Sequence, residues 1–394
     1  MSLATSTSTS TIEPILPAYG QGSIADVVPA IINRGQAEDS GSRENLSASW
    51  IPSPVHTARQ VVLLVIDGLG WQQLRDRPQL APTLCAAVGM ANPITSVAPT
   101  TTAAALTSIT TGTPPAQHGI LGYRLAEGDQ IMNMLRWTLG PGAGIDARNI
   151  LRVADYQPQM PFRGASQPVP VVSKADFGGT GFTAAHLGDA PLHDYRVQSS
   201  LAVEVGRAVT SGAPLIYAYY DGIDRVAHAH GFGDHYDAEL RSVDQMVSDV
   251  AAQLPRDAVL VVTADHGQIE VGSAVEVLGR EPMAMIRFVS GEGRFRWLHA
   301  HHGADADLVD VVQERYGESS WIRSRLQAID EGWFGAGITK EHEARLGDVV
   351  LVPHQPIAFA DPADTGENRL CCRHGSLTAD EMLVPLLAIG GDNL

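Results

Sequence analysis

Three short apolar runs, two of them rich in β-branched residues, each lead into an acidic residue, and this repetition constrains the fold more than any other feature of the chain. Val61-Val62-Leu63-Leu64-Val65-Ile66 runs into Asp67-Gly68, Leu215 to Tyr220 into Asp221, and Val259-Leu260-Val261-Val262-Thr263 into Asp265-His266-Gly267. By length and continuous apolar character, with β-branching in the first and third, each reads as a strand buried on both faces. Such strands, separated by stretches of helical patterning, predict an α/β fold: a three-layer α/β/α sandwich with a mixed, mainly parallel sheet. In sheets of this kind ligands gather beyond the carboxyl ends of strands. All three runs deliver carboxylates at that edge.

The rest of the chain divides around this core. Residues 1–50 read as a polar tail and an N-terminal arm. Residues 51–270 and 346–394 carry the core, with a Gly/Pro-rich peripheral insertion over 124–200. Residues 271–345 form a polar, Trp-containing inserted cap, helical near Asp305 to Tyr316 and Ser320 to Glu331. Thr102 to Thr111, after Pro99, starts a helix.

Charge narrows the partners. The formal net charge is −17, and only two lysines occur, Lys174 and Lys340. Such a surface repels nucleic acid backbones and anionic membranes, so neither is expected as a partner. It also repels phosphorylated small molecules, unless a bound cation reverses the field locally. Cys85, Cys371 and Cys372 are an odd set that makes no disulfide framework, and a cytoplasmic location is expected. The N-terminus lacks the charged and apolar regions of a signal peptide, and the run at Val61 to Ile66 is too short to span a bilayer.

The residues able to do chemistry cluster at the strand ends. Asp67 follows the first strand. Asp224 and His228 stand four apart, a spacing that puts both side chains on one face of a helix. Asp265-His266 follows the third strand, and His374-Gly375 lies near the C-terminus. Taken singly, Asp67 is an ordinary turn residue, Asp224 and His228 a solvated pair, Asp265-His266-Gly267 a capped turn, and His374 structural. Their co-occurrence at strand ends is what chance explains poorly. Mixed His and Asp ligands suit zinc, with manganese as the alternative. Two such ions roughly 4 Å apart clamp the attacking and leaving oxygens of an in-line displacement. Leu298-His299-Ala300-His301-His302 reads as a solvated loop rather than a third metal site, and His230 and His235 are not expected to be ligands.

Together with Pro99-Thr100-Thr101-Thr102, Ser108-Ile109-Thr110-Thr111-Gly112, Gln117-His118-Gly119-Ile120 and Thr263-Ala264-Asp265-His266-Gly267, these clusters resemble the type I phosphodiesterase/nucleotide pyrophosphatase family of the alkaline phosphatase superfamily. The resemblance spans the chain except the N-terminal arm and the two insertions. It implies two divalent metal ions, with Asp67, Thr102, Asp265 and His266 around one and Asp224, His228 and His374 around the other. It makes Thr102 the nucleophile, ten residues before Gly112 as in the family. Thr100 and Thr101 remain rivals on sequence alone. A threonine hydroxyl needs activation, and metal coordination favours its alkoxide.

The chain departs from the family in two places. An asparagine that lies a little beyond the His-Gly-Ile motif is replaced by Tyr123, followed by Arg124. The Tyr123 hydroxyl is able to donate one hydrogen bond to a phosphoryl oxygen; the alternative is that it packs as an aromatic. Ala103-Ala104-Ala105 replace the usual residues after the nucleophile. The expected function is hydrolysis of a phosphodiester or pyrophosphate bond in a small, nucleotide-like substrate through a phosphothreonine intermediate. The rivals are a phosphomonoesterase, phosphonate hydrolase or phosphomutase on the same scaffold, and a non-catalytic metal-binding module. Because Ile94 to Leu121 holds no Lys or Arg, diesters are expected over monoesters. Arg124 is the nearest cation, and an arginine from a distant segment such as Arg163 or Arg294 is the alternative source.

Overall fold

A computed structural model describes residues 12–34, 49–364 and 366–390. Ten strands carry its two main sheets: β1 (Gln60–Ile66), β2 (Val171–Lys174), β3 (Leu192–Tyr195), β4 (Leu215–Tyr220), β5 (Ala258–Thr263), β6 (Ile286–Glu292), β7 (Phe295–Ala300), β8 (Ser320–Ser324), β9 (Val349–Pro353) and β10 (Leu386–Gly390). The central sheet has the order β10-β5-β1-β4-β2-β3, parallel throughout except for β10. Every residue of β1, β4 and β5 is buried, which is why their sequences are continuously apolar rather than alternating.

Helices make the outer layers. α1 (Ile24–Ile32) and α3 (Gly181–Leu187) pack against α2 (Thr102–Thr111), while α4 (Gln198–Val209) and α5 (Gly222–His230) pack against α6 (Asp234–Ala251). The result is a three-layer α/β/α sandwich. α2 ends at Gly112, whose φ of +68° favours glycine, and a Cβ there would lie 2.5 Å from the Pro29 ring of α1.

Several boundaries differ from the sequence reading. Residues 1–11 and 35–48 of the expected tail and arm lie outside the described residues. α1, within that arm, is core: Ile24, Val27, Val28 and Ile31 are buried, and Ser23 and Asp26 form a capping box. The segment 124–200 is peripheral only in its first part, a small antiparallel sheet over residues 124–146. β2 and β3, within it, complete the central sheet, and as strands of four residues between Gly/Pro-rich loops they left little periodicity to read.

The cap holds the antiparallel sheet β6-β7-β9-β8, and takes β9 from beyond residue 345. Asp305–Tyr316 is helical as expected, whereas Ser320–Ser324 is a strand and only Arg325–Asp330 a helix. Leu298 to Ala300 belong to the buried β7 rather than a solvated loop; His299 Nε2 lies 2.8 Å from Ser290 Oγ, and only His301 and His302 are exposed. The β6–β7 tip reaches back to the core, where Arg294 pairs with Glu381 at 2.7 Å, both fully buried. Removing one partner of such a pair costs about 3–5 kcal/mol.

Candidate active site

The carboxyl ends of β1, β4 and β5 gather the site. Asp67 directly follows β1 and Asp265 closely follows β5. Asp224 and His228 lie on the helix after β4, where one helical turn brings His228 Nε2 within 3.3 Å of Asp224 Oδ1. His374 follows a short strand, Cys372–Arg373, paired with Ile269–Glu270 just after Asp265-His266-Gly267. The structure therefore brings Asp67, Asp224, His228, Asp265, His266 and His374 to one place, with Thr102 at the first turn of α2 beside them. Asp221 behaves differently: its carboxylate turns to Lys174 at 3.2 Å and Arg225 at 3.4 Å, beside a separate hollow of about 420 Å³.

Two groups able to hold a metal ion form, and Asp224 belongs to both: Asp224, His228 and His374 in one, Asp67, Asp224 and His266 in the other, each with donor atoms within 4.8 Å of one another. Asp265 completes the second edge, with Oδ2 at 3.3 Å from His266 Nε2. Its Oδ1 accepts from the backbone N–H of Gly68 and His266.

The histidines are oriented as ligands. Nδ1 of His228 lies 2.7 Å from the Cys372 carbonyl, that of His266 3.1 Å from Gly267 O, and that of His374 2.7 Å from Thr100 O. A carbonyl only accepts, so each Nδ1 donates and each Nε2 lone pair faces the site when the ring is neutral. Burial holds His266 and His374 neutral by pushing their pKa values down, with the neighbouring imidazoles adding to the effect at His374.

The carboxylates lack compensation. Burial raises Asp67, Asp224 and Asp265 above the usual carboxylate range, and for Asp67 the charges of Asp265 and Asp224 raise it further. Asp67 Oδ1 and Asp265 Oδ2 are buried without a hydrogen-bond partner among the described residues. Buried oxygens left bare, beside lone pairs aimed the same way, fit divalent cations, whose charge would offset the repulsion.

The three threonines separate by their contacts. The Thr100 hydroxyl is committed, donating to Ser376 O at 2.8 Å and accepting from Gly375 N. Thr101 is the N-cap of α2 and lines the same cavity as Glu292. Thr102 Oγ1 lies 3.2 Å from His266 Nε2. Thr101, Thr102, Tyr123, Asp224, His228 and His374 share a cavity of about 350 Å³. Tyr123 is half-buried there, and its hydroxyl accepts from Asn133 Nδ2 at 2.9 Å.

Three residues escaped the sequence reading. Tyr219 donates its hydroxyl to Asp67 Oδ2. Gln268 donates to Asp224 Oδ1 at 3.0 Å. Arg373 lines the same cavity as Thr102, so the site does carry a fixed cation. None of the expected sources supplies it: Arg124 pairs with Asp361, Arg294 with Glu381, and Arg163 is exposed and does not line the cavity. Direct adjacency to His374 was the available signal for Arg373.

A buried Asp/His cluster beside a helix-terminal threonine, on a mainly parallel sheet, defines a hydrolase of the alkaline phosphatase superfamily. The chain belongs to the type I phosphodiesterase/nucleotide pyrophosphatase family, whose model matches residues 61–377. Solved structures agree on the fold. Murine ectonucleotide pyrophosphatase/phosphodiesterase 5, as an inactive variant in complex with AMP, superposes with a TM-score of 0.62 at 16% identity, over 84% of this chain and 88% of that one. The human counterpart gives 0.59 at 15%, over 84% and 88%. Phosphonoacetate hydrolase from Sinorhizobium meliloti, in complex with phosphonoformate, gives 0.60 at 18%, over 84% and 90%. No curated protein matches the chain by sequence.

Proposed function

We propose that this protein hydrolyses phosphodiester or pyrophosphate bonds of small, nucleotide-like molecules, with Thr102 as nucleophile and two divalent cations, zinc or manganese, held by Asp67, Asp265 and His266 and by His228 and His374, with Asp224 between the sets. The observation that carries this is Thr102 Oγ1 at 3.2 Å from His266 Nε2, at the first residue of α2. When bound, the cations supply charge stabilisation for the attacking and leaving oxygens and lower the pKa of the hydroxyl. Thr102 attacks phosphorus in line and forms a phosphothreonine ester as the leaving group departs; water then cleaves that ester and restores the hydroxyl. The backbone N–H groups of the first turn of α2 lack intrahelical partners and are oriented to receive phosphoryl oxygens. Tyr123 stands across the same cavity, its hydroxyl a donor toward the substrate while accepting from Asn133.

The AMP in the murine neighbour and the phosphonoformate in the bacterial one are small anionic phosphorus compounds, which supports a substrate of that class. The test is turnover of bis(p-nitrophenyl) phosphate and p-nitrophenyl phosphate by metal-loaded protein, with denatured protein checked for phosphothreonine after a rapid quench. Absence of turnover on both substrates at full metal occupancy would overturn the assignment.

A further inference from the structure

We propose that Arg373 binds anionic oxygens of the substrate, so that the site is built for molecules carrying a negative group beyond the single charge of a simple diester. The inference rests on the function proposed above and names its substrate class more closely.

Arg373 is 3% exposed, and its Nε, Nη1 and Nη2 are all buried without a hydrogen-bond partner among the described residues. A guanidinium keeps its charge in a protein. Burying such a charge unpaired is costly, so buried charges are paired or meet a ligand. The arginine lines the cavity that also holds Thr102 and His374. The other buried arginines nearby are spent: Arg294 on Glu381 and Arg296 on Glu367, each at 2.7 Å, and Arg124 on Asp361. No acid of the same cavity forms an ion pair with Arg373 among the described residues, and the charge of Glu367 favours the cation only from a distance. Glu367 is taken by Arg296, Asp364 lies 3.8 Å from Arg124 Nε, and Glu292 is held well above the usual carboxylate range by burial. Glycine at 293 keeps the space beside the guanidinium clear, since a Cβ there would come within 2.9 Å of Nη1.

A planar fork of free N–H groups pairs with two oxygens of a phosphate or carboxylate at once. The extra anionic group has two sources: the third oxygen of a monoester on the reacting phosphorus itself, or a second phosphate or a carboxylate attached beyond it. A preference for anion-rich substrates is thus set against the diester preference expected from the cation-free stretch Ile94 to Leu121.

The experiment compares wild type, Arg373→Met and Arg373→Lys, each with measured metal content. The substrates are bis(p-nitrophenyl) phosphate, p-nitrophenyl phosphate and ATP. For one or both anion-rich substrates, the ratio of kcat/KM to that of the diester is expected to fall about 100-fold in Arg373→Met, the scale of a lost bidentate pair, and about tenfold in Arg373→Lys, which keeps the charge without the fork. A fall with p-nitrophenyl phosphate locates the contact on the reacting phosphorus; a fall with ATP alone locates it on the neighbouring group. Ratios unchanged within about threefold for both would overturn the proposal and make Arg373 a structural residue. Binding of inorganic phosphate by calorimetry gives a readout free of turnover, and a loss of about tenfold or more is expected in both variants. If wild type cleaves none of the substrates yet phosphate binding still depends on Arg373, the proposed reaction fails and the anion site stands. Equal phosphate affinity in all three proteins sinks the anion site itself.

Discussion

The imidazoles of His266 and His374 lie stacked, with ring centroids 3.7 Å apart and planes within 13° of parallel. One belongs to the ligand set at the end of β5, the other to a C-terminal segment, so the stack joins the two halves of the proposed metal centre. Each ring is fixed a second time by its Nδ1 hydrogen bond to a carbonyl. The centre is therefore rigid from two directions, as tight ligand geometry requires.

His374→Ala should remove the C-terminal ligand and leave the fold intact. Elemental analysis is expected to fall from about two divalent ions per chain to about one, with hydrolysis reduced to a few per cent or less. A variant that keeps both ions would show that His374 is not a ligand.

Thr102→Ala and Thr100→Ala should part company. Losing the Thr102 hydroxyl leaves every carboxylate and imidazole in place, so metal content should hold largely while kcat falls by about 10³-fold or more. Thr100→Ala instead strands Gly375 N and the Ser376 carbonyl in a buried place. Its expected signature is a stability loss of about 1–3 kcal/mol, read by denaturant titration. Near wild-type kcat in Thr102→Ala would move the nucleophile elsewhere.

Chelation should abolish hydrolysis, and zinc or manganese should restore it. It should also lower Tm, because Asp67, Asp224 and Asp265 then face one another buried and unshielded. Metal-free protein with full activity would refute the two-ion assignment.

Tyr219→Phe removes the hydroxyl that donates to Asp67 Oδ2 and nothing else. Loss of such an outer partner typically costs about 10- to 100-fold in metal affinity or activity. Competition with a chromogenic chelator measures it; unaltered affinity would mean that Asp67 is oriented by its backbone alone.

Buried neutral histidines should make the protein acid-labile. Burial pushes His118 down to about 3, while Ser108 and the Ile120 N–H hold its two ring nitrogens. With the folded value below the unfolded one, the unfolded chain binds more protons between about pH 3 and 6.5. Stability contributed by His118 is thus present above that window and is lost as pH falls through it, by up to about 1.4 kcal/mol per pH unit. His118→Gln should flatten the slope of unfolding free energy against pH by about one proton between pH 5 and 6. An unchanged slope would show that His118 is not the titrating group.

The sequence by itself determined the central strands of the sheet and most of the residues of the proposed metal centre. Continuously apolar runs at 61–66, 215–220 and 259–263 are stable as strands covered on both faces, and a parallel sheet delivers the residues after each strand to one edge. The spacing of Asp224 and His228 placed both on one helical face, and the Asp265-His266 pair was adjacent by covalent connection. Features that depend on distance through space were left to the tertiary structure. β2 and β3 are four-residue strands whose periodicity is too short to read, and they exist because the edge of β4 offers a partner to β2 and β2 in turn offers one to β3. Thr102 could not be told from Thr100 by sequence, since only folding brings residues 375 and 376 onto the Thr100 hydroxyl and His266 onto Thr102. Arg373 looked like any arginine beside a histidine. Its meaning comes from burial without a hydrogen-bond partner among the described residues, and burial is a property of the packed chain: Glu292 and Gly293 of the cap tip and residues Asp364, Gly366 and Glu367 close around a charge that no local pattern identifies.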